Sequence, residues 1–85
     1  VYVILVYDFD EKRVNKALQT CRKYLIWVQR SVFEGEISEG KLYSLKQELR
    51  KIMKGEDAVV IYVLETSKYL RREVLGEGKD TSNVL

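Results

Sequence analysis

Asp8 closes the apolar run 1–7, in which every residue is Val, Tyr, Ile or Leu, and a charged segment follows at once. A strand that ends on a carboxylate delivers an acid to the end of a sheet, where mixed α/β folds hold ligands and metal ions. The chain has no His and a single Cys, Cys21. Metal chemistry must then rest on oxygen donors, which suits Mg²⁺ or Mn²⁺ rather than Zn²⁺. One carboxylate is a poor cage for an ion that takes six oxygens, so a second copy of Asp8 across a two-fold axis is the economical way to complete the set. The other reading of Asp8 is a cap on the following helix or turn.

Basic residues supply the second chemical theme. Net charge is only +2, yet 33% of the chain is charged, and the cations cluster as Lys12, Arg13, Lys16, Arg22 and Lys23, then Lys46, Arg50, Lys51 and Lys54, then Lys68, Arg71 and Arg72. Such clusters fit a polyanion such as nucleic acid, and they also fit solvated helix faces. A single Cys gives no disulfide framework within the chain and is expected to pack in the core, which points to a reducing, cytoplasmic setting. No stretch approaches the roughly 20 apolar residues of a membrane span. Gly76-Glu77-Gly78-Lys79 resembles a phosphate loop only superficially: the glycines are too close and Asp80 follows the lysine, so it reads as a turn.

The elements that must position these groups can be read from periodicity. Residues 1–7 lack alternation and predict a central strand apolar on both faces. Asp10 is placed to cap a helix over 11–24, where Val14, Ala17, Leu18, Cys21 and Leu25 recur at helical spacing. Residues 25–37 turn β-like, as one strand or two joined by a bend, although no Asn-Gly or Asp-Gly marks a hairpin tip. Ser38 caps a second helix through residue 54, with Leu42, Leu45, Leu49 and Ile52 as its apolar stripe and Gly55 as its stop. Residues 57–65 predict another central strand.

This order predicts an α+β fold of the ferredoxin-like βαββαβ type, an antiparallel sheet with both helices on one face. The chain reads as one domain over 1–85: a core over 1–65 and a C-terminal extension over 66–85, whose Val84-Leu85 adds a short strand to a sheet edge. A core this small, with strands apolar on both sides, predicts a homodimer that covers the open face of the sheet.

Two segments carry a family resemblance over nearly the whole chain: Val3-Ile4-Leu5-Val6-Tyr7-Asp8 before a basic first helix, and Trp27-Val28-Gln29-Arg30-Ser31-Val32-Phe33-Glu34-Gly35. The chain resembles the small CRISPR-associated Cas-two family. That likeness implies a ferredoxin-like homodimer working with the Cas-one integrase in spacer acquisition, and a metal-dependent endonuclease acting on single-stranded RNA or double-stranded DNA. It matches Asp8 to the family's metal ligand, Tyr7 to the adjoining tyrosine, and Arg30 and Phe33 to the arginine and phenylalanine of the second motif. In a Mg²⁺-dependent phosphodiester hydrolysis, Arg30 or a first-helix cation would stabilise the scissile phosphate, and Tyr7 would position substrate or water. Lys12, Arg13, Lys16, Lys23 and Arg30 are the nucleic-acid-binding candidates. The residues themselves leave alternatives: Tyr7 and Phe33 as core or interface aromatics, and Arg30 as a charge protecting a strand edge. The function alternative is a non-catalytic dimeric scaffold that holds DNA and bridges integrase dimers; a ligand-binding regulatory module has no polar pocket signature to support it.

Overall fold

Alternation along the first strand decides which side of the sheet becomes core. In the computed structural model, which describes residues 1–76, β1 (Tyr2–Asp8) buries Val3, Leu5 and Tyr7 on one face and leaves Tyr2, Ile4 and Val6 half-buried on the other. It is followed by α1 (Val14–Arg22), β2 (Ile26–Gln29), β3 (Val32–Glu36), α2 (Glu39–Ile52), β4 (Ala58–Leu64) and a 3₁₀ turn at Ser67–Tyr69. The strands form one antiparallel sheet in the order β2-β3-β1-β4. The core gathers Val3, Leu5, Phe33, Ala17, Cys21, Leu42, Leu45 and Leu49 between the sheet and both helices. The expected ferredoxin-like arrangement is therefore present. Burial drives the Cys21 thiol up to about 12, so this cysteine is an unreactive packing residue, as expected.

Two local expectations are revised, and one left open between two forms is decided. Strand β4 was expected to be central and, among the described residues, is an edge strand paired with β1 alone; Val60 (50% exposed) and Tyr62 (59%) are exposed there. Among the described residues, its apolar composition does not correspond to burial on two sides. Helix α1 starts at Val14 and not after Asp10. The Asp10 carboxylate instead accepts from the Lys12 amide at 2.9 Å, its carbonyl takes the Arg13 amide at 2.8 Å, and Arg13 stands at the N-cap without a side-chain capping bond. The 25–37 region resolves into two strands. Their turn is Arg30-Ser31, with Arg30 in the left-handed region at φ 42°, a conformation costly for a side chain with a Cβ. The Trp27 indole N–H donates to the Arg30 carbonyl at 2.8 Å and pins that turn.

Helix α2 follows its sequence signals closely. Ser38 Oγ accepts from the Lys41 amide at 3.1 Å, and Gly55 follows the helix at φ +57°, where glycine carries no steric penalty. Past β4 the chain turns over the open face of the sheet. There the Arg72 guanidinium pairs with Glu34, and residues 72–75 lie beside Val28 and Gln29. The β2–β3 side of that face is thus partly covered by the chain itself, while Val60 and Tyr62 on the β4 side are exposed among the described residues. The predicted terminal strand at Val84-Leu85, and the turn beyond Gly76, fall outside the described residues.

Candidate active site

Strand alternation sends Asp8 and Tyr7 to opposite faces. Asp8 sits across from Ala58 at the end of the β1–β4 ladder, on the open face, and is exposed. Its carboxylate lines a cleft of about 380 Å³ with Phe9, Asp10, Arg13, Glu56 and Asp57. Four carboxylates, those of Asp8, Asp10, Glu56 and Asp57, thus share the cleft with one guanidinium, that of Arg13.

The guanidinium is already taken. Arg13 Nε donates to Asp57 Oδ2 at 2.6 Å and Arg13 Nη2 to Asp57 Oδ1 at 3.2 Å. The Asp10 amide donates to Asp57 Oδ1 at 2.9 Å and the Lys54 amide to Oδ2 at 3.0 Å. Four donors saturate a carboxylate whose side chain is only 3% exposed, and the bidentate fork gives the contact directionality as well as strength. Asp57 therefore ties the β1–α1 loop and the start of α1 to the α2–β4 loop, and it has no lone pair to offer a ligand. The Asp8 carboxylate, by contrast, makes no hydrogen bond or ion pair among the described residues. Sequence reasoning did not single out Asp57. The available signal was an acid just before an apolar strand, at the same sheet end as Asp8.

The Arg13 fork, followed by the two backbone amides, holds the Asp57 carboxyl well below the usual carboxylate range against the opposing effect of burial. A carboxyl depressed on folding stabilises the native state above its unfolded value of about 3.9, and that contribution fades as pH falls through the folded value. Asp57→Asn is accordingly expected to lower the thermal midpoint at pH 7. The gap from the parent chain should close as pH is taken below about 4, and thermal scans across pH 2–7 check this.

The other predicted residues divide by location. Tyr7 faces the helix layer, 5% exposed, edge-on to Phe9 with ring centroids 5.5 Å apart and 6.0 Å from Phe33. Phe33 is fully buried. Both are packed in the core of this chain, and neither shares a face with Asp8, the arrangement of the core-aromatic alternative. Arg13, expected on nucleic acid, is neutralised by Asp57. Lys23, also expected there, pairs with Glu48 at 2.5 Å, and Glu48 takes the Tyr24 hydroxyl too. Lys12 and Lys16 are exposed. Arg30 stands exposed on the β2–β3 turn, at the same sheet end as Asp8, because the Tyr7 amide donates to the Ser31 carbonyl at 3.1 Å.

Among the described residues, no group of three or more His, Cys, Asp or Glu side chains is arranged to hold a metal ion. The unengaged Asp8 carboxylate is nevertheless a suitable hard-oxygen donor for Mg²⁺, which retains several waters and commonly uses one or two carboxylates with substrate phosphate. The family model described as CRISPR associated protein Cas2 matches residues 1–72. This chain belongs to the Cas2 family. It is 49% identical over 81 residues to a Dictyoglomus turgidum protein named CRISPR-associated endoribonuclease Cas2, covering 94% of this chain and 93% of that one. A Thermotoga maritima protein of the same name is 50% identical over 80 residues, covering 93% and 92%. Among solved structures, one described as a crystal structure of cas2 superposes with a TM-score of 0.85 at 43% identity, over 93% of this chain and 90% of that one. Family membership, expected from the Asp8 and Arg30 segments, is thereby established, and Cas2 structures share this fold.

Proposed function

We propose that this chain is a CRISPR endoribonuclease that requires Mg²⁺ or Mn²⁺, with Asp8 as the metal ligand paired with a second Asp8 across a homodimer. The observation that carries the reading is the contrast inside one cleft: Asp57 is saturated by four donors, whereas Asp8 is exposed and unengaged. The relatives' names support nuclease chemistry on RNA. A divalent ion held there would supply Lewis-acid activation of water and neutralise charge growing on the scissile phosphate. Asp8 would hold and orient it, the Asp57–Arg13 fork would fix the loop that follows Asp8, and Arg30 would contact phosphate from the neighbouring turn. Cleavage of single-stranded RNA by Asp8→Ala, with RNA binding measured in parallel, is the test. Lost cleavage with retained binding supports the assignment, and cleavage unchanged by the substitution sinks it.

The homodimer belongs to the same proposal. Its surface is the half of the open face that the described residues leave exposed, Val60 and Tyr62 with the outer edge of β4, since an exposed apolar edge strand is a template for pairing with another chain. Tyr62→Lys is expected to move the protein from dimer to monomer in light scattering coupled to size exclusion; a parent chain that is itself monomeric would refute the pairing. A dimer also suits the second role inferred for the chain, work with the Cas-one integrase during spacer acquisition in the cytoplasm. The exposed Lys12 and Lys16 favour that reading by leaving cations available to DNA, even where Asp8 is catalytically idle. No helix among the described residues is long and apolar enough to cross a membrane.

A further inference from the structure

Between the first half of α1 and the β2–β3 turn lies an open hollow of about 470 Å³, lined by Tyr7, Val14, Asn15, Leu18, Arg30 and Ser31. Its size falls in the range of small-ligand sites, about 300–1,000 Å³. We propose that this hollow is a subsite for one unpaired nucleobase of a single-stranded RNA, with the adjoining phosphate on Arg30. The inference rests on the nuclease reading above and adds where the strand is gripped and why it must be unpaired.

The chemistry of the lining selects this occupant. Val14 and Leu18 are half-buried and supply an apolar floor, with the buried Tyr7 behind them. Asn15 is exposed and Ser31 half-exposed at the rim, and an amide with a hydroxyl can both donate to and accept from a base edge. A flat, mostly apolar ligand with a polar edge fits such a surface. Among the described residues no carboxylate lines this hollow and a guanidinium does, the reverse of the Asp8 cleft with its four acids. A polyanion is therefore drawn to the hollow and repelled by the cleft unless cations occupy it.

The rim is also preorganised. Arg30 is held in the left-handed conformation by the Trp27 indole bonded to its carbonyl, and the Arg22 guanidinium lies 5.4 Å above the Trp27 ring. The hydrogen bond from the Tyr7 amide to the Ser31 carbonyl fixes the turn against the strand residue that precedes Asp8. A base seated in the hollow thus starts a backbone path that rounds the sheet end toward the face carrying Asp8. In a duplex both faces of a base are stacked and its edge is paired, so a duplex cannot enter.

The test is equilibrium binding of a labelled single-stranded RNA, the duplex of equal length, and an abasic strand of equal length to the full chain, across a series of salt concentrations. Leu18→Gln places a polar isostere on the floor without altering charge. It should weaken single-strand binding about fivefold or more, leaving duplex binding and the salt slope as they were. Arg30→Gln should reduce the magnitude of the single-strand salt slope by about 0.7, the signature of one lost phosphate contact. The abasic strand should bind the unmodified protein more weakly than the strand with bases, a comparison that needs no variant to fold. Equal binding of the abasic and normal strands, or equal loss of single-strand and duplex affinity in Leu18→Gln, overturns the subsite. Asp8→Ala cleavage reports separately on the nuclease reading, so either can fail while the other stands.

Discussion

Phe33→Ala is expected to leave most of the chain unfolded near physiological temperature. Phe33 is fully buried, sits in the strand between β1 and β2, and contacts the Tyr7 ring. Truncating a buried Phe costs about 3–5 kcal/mol in lost transfer energy and residual cavity, against a total of about 5–15 kcal/mol for a whole domain. Small domains sit toward the bottom of that range because they bury proportionately less surface. Urea unfolding should show the midpoint falling sharply. Lost activity in this variant should track the unfolded fraction, and Phe33→Leu, which conserves more of the volume, should recover both. A stably folded but inactive Phe33→Ala would return Phe33 to a direct role in the site.

The largest expected effect on chemistry lies at Asp8. Asp8→Ala removes an exposed carboxylate that has no partner among the described residues, so neither a core contact nor a salt bridge is lost and the thermal midpoint should stay within about 0.5 kcal/mol of the parent's stability. Cleavage should nevertheless drop on the order of a hundredfold or more, because several kcal/mol of transition-state charge stabilisation would go with the ion Asp8 is proposed to hold. Chelation with EDTA should reproduce the loss in the parent chain and have no further effect on the variant. Asp57→Asn should behave in the opposite sense, with a clear fall in stability and a smaller, indirect fall in rate. The two acids stand in one cleft, and the contrast between them separates chemistry from scaffolding.

Local periodicity carried much of the fold. The stripe of Leu42, Leu45 and Leu49, the Ser38 cap and the Gly55 stop are short-range signals, and α2 lies where they put it. What periodicity could not tell was why a strand is apolar on both sides: among the described residues β1 is central, β4 is an edge with an exposed face, and both read alike as sequence. The start of α1 moved for a long-range reason, since Asp57 binds Arg13 and the Asp10 amide across 44 and 47 positions of chain. That same partnership gives Arg13, a nucleic-acid candidate by sequence, a fastening role between two loops. The hairpin tip escaped detection because an Arg, and not a Gly or Asn, takes the left-handed position, held by an indole bond visible only in three dimensions. Asp8 was legible because its position needs only one strand and its end. Asp57, meaningful only through distant partners, was not.

Placing the first strand in the middle of the sheet has a consequence for how the molecule comes into being. Tyr2 must wait for Glu36 on one flank and for Leu64 on the other. A chain emerging from the ribosome therefore holds this strongly apolar strand with one flank unpaired from the completion of β3 until β4 has been made. Such non-local closure is slow and exposes sticky intermediates. Nascent-chain stalling just short of β4 should trap a chaperone-dependent, protease-sensitive species, and release of the last few residues of that strand should complete the sheet cooperatively.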